Sequence, residues 1–540
     1  MKKIEKIVQS LLEKKLDVIS WLVIFFSFVF LRVFTEQTLA LARPLTTLEI
    51  IMELVHSFYF FALAILSVWL LVSLILRMKP QKLSHIFIFS MLLIIMPPFL
   101  DMLKTGGQVY WSFYLLSSPT DLWQQYLTAF GHLPSGIAYF GTRIVFVATI
   151  PMLAGLVWFL SKKIWKTVLA AIGAYSILFF WGAFPSFFYY AYIFFSRHGK
   201  VSAVHSFDIA GYFGAPEKIF GVIFPSFQYT LAYKLNYVYF ILLVSLLVVM
   251  FYLGSREKFW AVMKNLRLPQ VVYHAGIFFI GMGLGWLGYA DNFQLDVFPV
   301  MAAFVLLASV ILSWVASVVV NDIYDLEIDR VSNDSRPLPK NIFTHGEYIQ
   351  FGLACFFLAL LGGETIGLPF FVFLAVYQVL AWIYSAPPFR LKKFPIVATF
   401  ISSLASLMIL FLGYILVSDG QTIHTLSWRI IFLFLIAYTL SLPIKDFKDI
   451  EGDKKDGIWT IPVIFGEKRG RLIVATGVFI SFMLSVFFLN EMKLFFWAML
   501  FGVSTFLFIN NEKIKPRALP AWVLGFVAVY FFLLVWVVFI

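Results

Sequence analysis

VFPVMAAFVLLASVILSWVASVVVNDIYDLEIDR occupies residues 297–330. Its first part, 297–320, carries no charge and is long enough for an α-helix to cross the hydrocarbon layer of a bilayer, roughly 30 Å thick. A helix is required there because backbone N–H and C=O groups find no water in hydrocarbon and must pair within the segment. Directly after it, NDIYDLEIDR places Asp322, Asp325 and Asp329 at positions i, i+3 and i+7. At about 100° per residue, those side chains fall within about 60° of one another on a helix. The stretch therefore specifies an all-α membrane fold and an acidic cluster at a helix end.

The apolar pattern recurs along the chain. Spans fall near 18–34, 54–76, 85–104, 136–160, 166–195 and 236–254, then near 271–289, 297–320, 347–362, 366–384, 396–417, 428–445, 471–489, 493–509 and 518–540. That is about six transmembrane helices followed by about nine, about fifteen in all. Composition agrees: 61% of residues are hydrophobic, 13% are charged and the mean hydropathy is +0.90. A water-soluble fold could not hide that much apolar surface. The single cysteine, Cys355, lies in an apolar run and excludes both an internal disulfide framework and a multi-cysteine metal site.

The net charge of +12 follows topology rather than nucleic acid. Lys and Arg gather in alternate connections: Arg77/Lys79/Lys82, Lys162/Lys163/Lys166, Arg256/Lys258/Lys264/Arg267, Arg330/Arg336/Lys340, Arg390/Lys392/Lys393, Lys445/Lys448/Lys454/Lys455 and Lys513/Lys515/Arg517. With Lys2, Lys3 and Lys6 at a cytoplasmic N-terminus, these are the inside loops of the positive-inside rule. Residues 1–16 set Ile4, Ile7, Val8, Leu11 and Leu12 on one face among lysines, a pattern that predicts an interfacial helix. The polar, basic stretch 255–270 divides a 1–254 membrane module from a 271–540 domain.

Eight of the fifteen aspartates lie in two short windows. The second, KDFKDIEGDKKDG from Lys445, repeats the first spacing with Asp446, Asp449 and Asp453. Both triplets continue from the cytoplasmic ends of predicted spans, so they can face one cavity. Clustered carboxylates hold their charge in a dry site only if cations neutralise them, and hard oxygen donors suit Mg²⁺ bridged to substrate phosphates. Two such clusters around a diphosphate favour departure of a phosphate leaving group. Tyr324 and Tyr384 are placed to offer ring faces to a developing cation.

These residues resemble the UbiA-type intramembrane prenyltransferases. The family's NDxxDxxxD followed by Arg-Pro is matched by Asn321, Asp322, Asp325, Asp329 and Arg336-Pro337, and its DxxDxxGD with a later Thr-x-Pro-Val by Asp446, Asp449, Gly452-Asp453 and Thr460-Ile461-Pro462-Val463. YSAPPFRLKK, Tyr384 to Lys393, is similar to its cytoplasmic loop. The resemblance covers about 271–540 and implies a nine-helix bundle open sideways to lipid. It implies that Asn321, Asp325, Asp329, Asp449 and Asp453 hold Mg²⁺, in two ions bridging a prenyl diphosphate, with Asp322 and Asp446 in support. It makes Arg336, Lys340 and Lys392 candidates for the phosphate oxygens, beside Tyr384. The implied acceptor is lipophilic or aromatic, in the inner or plasma membrane, with the site facing the cytoplasm and no nucleic acid involved.

Two other readings follow from the same residues. Phosphoribosyl transfer to a polyprenyl phosphate would call for a His-Pro-x-Lys stretch where Val331-Ser332-Asn333-Asp334-Ser335 stands. A lipid-binding or transport scaffold would be expected to lose some of the carboxylates. Residues 1–254 carry no comparable motif; Asp101, Arg143, His205 and Asp208 are their ionisable suspects, and the segment GYFGAPEKIFGVIFPSF suits an interfacial or re-entrant element. Such a module suits acceptor capture, a lipid-facing lid or docking to another membrane enzyme.

Overall fold

The structure, a computed structural model, describes residues 10–13, 16–39, 46–106, 115–131, 140–196, 200–214, 227–290, 296–418, 422–448, 450–455 and 457–539. It is 86% helical, with no strand among the described residues. Fourteen helical segments there are long and apolar enough to cross a membrane, and Leu494–Asn510 is a shorter apolar helix, so each expected span has a helix in its described part. The predicted interfacial helix at 1–16 and most of the segment 211–227 lie outside the described residues.

Two compact units divide within one helix, the first comprising residues 1–218 with 222–260 and the second 219–221 with 261–540. The first contains α1 (Val18–Leu39), α2 (Thr47–Leu76), α3 (Ser84–Ser90), α4 (Leu92–Thr105), α5 (Pro119–Thr128), α6 (Phe140–Ser161), α7 (Ile164–Gly182), α8 (Phe184–Ser196), α9 (Ser206–Gly214) and α10 (Phe227–Gly254). The division falls in α11 (Arg256–Asn265). The second holds α12 (Leu268–Tyr289), α13 (Val297–Tyr324), α14 (Leu326–Ser332), α15 (His345–Ile366), α16 (Leu368–Ser385), α17 (Pro395–Val417), α18 (Trp428–Ser441), α19 (Ile450–Lys455), α20 (Ile461–Leu489), α21 (Leu494–Asn510) and α22 (Leu519–Phe539).

Local sequence sets the helix ends. Thr46 with Glu49 and Thr344 with Glu347 form reciprocal capping boxes that satisfy the first N–H groups of α2 and α15. Proline stands in the first turn of α12, α16, α17 and α20, where its missing N–H costs nothing. The expected single span 166–195 is two helices, parted at Ala183 next to Pro185. Proline can start α8 but cannot donate an interior helix bond.

In the second unit, α12 and α17 meet through glycines. A Cβ on Gly281 would lie 2.1 Å from Leu410 O, and one on Gly413 would lie 2.0 Å from Phe278 O. Only residues without side chains allow the two backbones to come this close. In the first unit the buried Arg32 pairs with Glu36 at 2.8 Å and lies over the Phe61 ring, while His56 Nδ1 is 2.9 Å from Asn236 Oδ1.

Candidate functional site

The first acidic segment is not one continuous helix. α13 ends at Tyr324, Asp325 caps it with φ −105° and ψ 11°, and α14 begins at Leu326. The expectation of one continuous helix is corrected accordingly: across the break Asp322 and Asp329 share Arg336, while Asp325 pairs with Arg390 and Lys392.

Asp322 is 1% exposed and accepts from four donors: Asn265 Nδ2 at 2.6 Å, Tyr348 Oη at 3.0 Å, Arg267 at 3.0 Å and Arg336 at 3.2 Å. Its oxygens are taken up by protein groups, which suits a supporting part. Asp329, 2% exposed, contacts the Arg336 guanidinium and accepts from Asn333 Nδ2 at 3.3 Å. Burial pushes its carboxyl up to about 6, against the pull of Arg336. Asp325 contacts Lys392 Nζ through both oxygens and accepts from Arg390 at 2.9 Å. Asn321 Oδ1 accepts from Ser385 Oγ at 3.2 Å and Lys392 Nζ at 3.4 Å. Burial draws the Lys392 ammonium and the Arg267 guanidinium below their ordinary ranges, while the facing aspartates oppose the shift.

The second acidic segment lies alongside. Asp446 sits in a 3₁₀ stretch, Leu442–Lys448, and Asp453 in α19, so its i, i+3, i+7 spacing does not follow α-helical phase either. Asp449 lies outside the described residues. Lys445 Nζ stands 5.8 Å from the centre of the Tyr384 ring, and the Trp459 N–H donates to Lys393 C=O at 3.2 Å. Tyr384 adjoins Ser385, the partner of Asn321, so both acidic segments lie at the same end of the bundle. Thr460 Oγ1 is buried there without a hydrogen-bond partner. Lys340 is exposed, its N–H closing a turn on Arg336 C=O at 3.2 Å.

Inward from this end, aromatic side chains line the interior. His274 packs on Trp314 with ring centres 4.7 Å apart and meets Tyr377 Oη at 3.2 Å, and Tyr273 packs on Tyr438 at 5.7 Å. Tyr324 is 40% exposed at the rim. In the first unit, Arg143 donates to Ala129 C=O at 2.6 Å, Asp101 accepts from the Gly141 N–H at 2.7 Å, and Asp208 accepts from the His205 N–H at 2.8 Å. These are cap and loop contacts. An apolar cleft of about 390 Å³ beside Trp123, Tyr126 and Phe179 is lined by no acid or base.

Sequence reasoning missed Asn265, Arg267, Tyr348, Ser385 and Arg390. Asn265 and Arg267 look like linker, Tyr348 like part of a span, Ser385 like an ordinary residue of the loop that follows one, and Arg390 like one more inside charge. The signal available for Arg390 was its place two residues before Lys392, in the same loop.

No three His, Cys, Asp or Glu side chains group closely enough to enclose one ion among the described residues. The donors present nevertheless fit a hard cation. Asn321 Oδ1 and both Asp325 oxygens converge on one cationic nitrogen, that of Lys392, which stands in for such an ion.

Residues 277–536 match the UbiA prenyltransferase family. This part of the chain is a UbiA-family domain. Curated relatives include the digeranylgeranylglyceryl phosphate synthase of Sulfolobus acidocaldarius, 32% identical over 156 residues, 29% of this chain and 54% of that one. Another is the chloroplastic 2-acyl-4-prenylphloroglucinol 6-prenyltransferase of Humulus lupulus, 33% identical over 171 residues, 30% of this chain and 41% of that one. The chain spans about half the length of the curated relatives it matches. Among solved structures, a UbiA homologue from Archaeoglobus fulgidus bound to GPP and Mg²⁺ is 19% identical, covers 52% of this chain and 100% of that one, and gives a TM-score of 0.41. In the UbiA domain the two motifs and the loop from Tyr384 to Lys393 are the parts gathered at one end.

Proposed function

We propose that the UbiA domain transfers a prenyl group from an isoprenoid diphosphate to a lipophilic or aromatic acceptor, using Mg²⁺ at the aspartate-bearing end of the bundle. The observation that carries this reading is the convergence of Asn321 and Asp325 oxygens on the Lys392 ammonium, with Arg336 and Arg390 beside them. The relatives whose names describe prenyl transfer or a lipid phosphate synthase support it.

Bound Mg²⁺, two ions in this reading, supplies positive charge that stabilises the departing diphosphate. Asn321, Asp325, Asp329, Asp449 and Asp453 would hold it. Asp322 and Asp446 orient the neighbouring groups, Asp322 by fixing Arg267 and Arg336. Arg336, Arg390 and Lys392 donate to the phosphate oxygens as charge develops on them, and Lys340 serves the exposed rim. The allylic C–O bond breaks, both electrons leave with the diphosphate, and the prenyl carbon is left cationic. The ring faces of Trp314, Tyr377, Tyr273 and Tyr438 suit that cation, and the apolar surroundings keep water from quenching it. The acceptor then supplies the electron pair for the new bond and releases a proton.

The test uses the full chain in detergent or nanodiscs with labelled prenyl diphosphates, candidate acceptors and Mg²⁺. Chelation abolishes turnover and Mg²⁺ restores it. Asp325→Ala and Asp449→Ala each lower the rate by at least about 100-fold, the scale on which lost transition-state stabilisation is usually measured. Unchanged turnover in either variant overturns the assignment.

A further inference from the structure

We propose that Lys392 is the resident counter-ion of the unloaded site, and that it yields Asn321 and Asp325 to the divalent ion only when a diphosphate arrives to receive its ammonium. The inference rests on the reading of this end of the bundle as a metal–diphosphate site and adds to it an order of events: ion and diphosphate bind together, neither well alone.

Three observations carry it. The first is position. Lys392 Nζ contacts both Asp325 oxygens and lies 3.4 Å from Asn321 Oδ1, so it occupies the place where these three oxygens would hold an ion. Metal and ammonium compete for the same donors. The second is charge. Asp322, Asp325 and Asp329 face Arg267, Arg336, Arg390 and Lys392, one positive charge in surplus. An ion that displaces Lys392 from these carboxylates leaves its ammonium unpaired beside three guanidinium groups, and a diphosphate supplies the negative charge to pair it. The third is burial. The Lys392 side chain is 6% exposed, and a buried ammonium deprived of its carboxylate is costly. It can leave Asp325 only towards another anion.

The four cations differ in what they can do. Arg336 bridges Asp322 and Asp329, and Arg390 bonds both Asp325 and the Tyr324 C=O. Those forks are fixed by two partners each. Lys392 is a compact charge on a flexible four-carbon stem, so it can mimic a metal ion at rest and reach phosphate when displaced. Its loop is anchored next door, where Lys393 C=O accepts from the Trp459 N–H at 3.2 Å. The exchange therefore needs only the side chain to move.

The experiment measures Mn²⁺ binding to the purified full chain by electron paramagnetic resonance, with and without inorganic pyrophosphate. In the wild type, pyrophosphate tightens Mn²⁺ binding by roughly tenfold or more, and Mn²⁺ tightens pyrophosphate binding by the same factor. Lys392→Met binds Mn²⁺ alone roughly tenfold tighter than the wild type and loses most of the gain from pyrophosphate. Equal or weaker Mn²⁺ binding in Lys392→Met overturns the proposal. So does wild-type Mn²⁺ binding that is indifferent to pyrophosphate, a measurement that needs no variant to fold. Asp325→Asn separates the two levels. If it abolishes Mn²⁺ binding while Lys392→Met leaves the affinity unchanged, only the counter-ion exchange fails. If Asp325→Asn binds Mn²⁺ as the wild type does, the metal-site reading fails with it.

Discussion

Asp322 and Asp329 are both nearly inaccessible, yet they face opposite demands. Asp322 is surrounded by two guanidinium groups, a phenol and an amide, so its charge is fully compensated. Removing it leaves Arg267 and Arg336 facing an empty buried position. Asp322→Ala is expected to lower stability by about 3–5 kcal/mol, the usual cost of breaking a buried ion pair from one side. Asn265→Ala, which removes one donor to the same charge, should cost about 1.5–3 kcal/mol. Thermal unfolding followed by tryptophan fluorescence compares them, and an equal effect would refute the central place given to Asp322. Asp329 is different because its carboxyl is raised to about 6. Raised above its ordinary value near 3.9, this group favours the folded, metal-free chain most below about pH 4 and loses that contribution as pH climbs through about 6. Metal binding requires the ionised form, so the ion's stabilising effect runs the other way. The rise in melting temperature produced by Mn²⁺ with pyrophosphate should shrink below pH 6, and Asp329→Asn should remove that pH dependence.

At the level of elements, helix–helix approach decides where the site residues stand. α12 carries His274, and α17 follows the loop that carries Lys392; the two backbones touch at Gly281 and Gly413. A methyl group at Gly413 would strike Phe278 O, so Gly413→Ala should destabilise by about 1–3 kcal/mol and lower turnover as well. Gly276→Ala, on the facing helix α12 with open space around its Cβ, should do neither. An indistinguishable pair of melting curves would refute the contact. The spans themselves were readable from hydropathy because lipid forces long uncharged helices on any chain that crosses it. What hydropathy could not show is where a helix breaks. Nothing in NDIYDLEIDR marks Asp325 as a helix cap, since the segment contains no Gly or Pro to signal a stop. Arg267 and Asn265 were unreadable for a related reason: a residue that reaches Asp322 from 55 or 57 positions away has no local signature. The residue types at Asn321, Asp325 and Lys392 were readable as candidate ligands; that Lys392 contacts the Asn321 and Asp325 oxygens was not.

For the whole molecule, the distribution of charge gives a testable orientation. In the UbiA domain Arg336, Lys340, Arg390, Lys392, Lys393 and Lys445 belong to the end that carries the aspartates. Of the opposite connections, 290–296, 367 and 418–427 have no Lys or Arg, and 490–493 has one, Lys493. Retention of basic loops on the cytoplasmic side then puts the acidic end inside. Because the one native thiol, Cys355, is buried, it can be replaced by serine and single cysteines introduced elsewhere. Lys340→Cys and His424→Cys both alter exposed positions, at opposite ends of the bundle. In intact cells a membrane-impermeant maleimide should label His424→Cys and spare Lys340→Cys until the membrane is opened. The reverse pattern would place the carboxylates on the outer face and require the prenyl diphosphate to be supplied from there. Labelling of both positions from one side would show that an odd number of crossings between residues 340 and 424 is wrong. The three intervening spans, α15, α16 and α17, would then have to be reassigned before any account of substrate entry could stand.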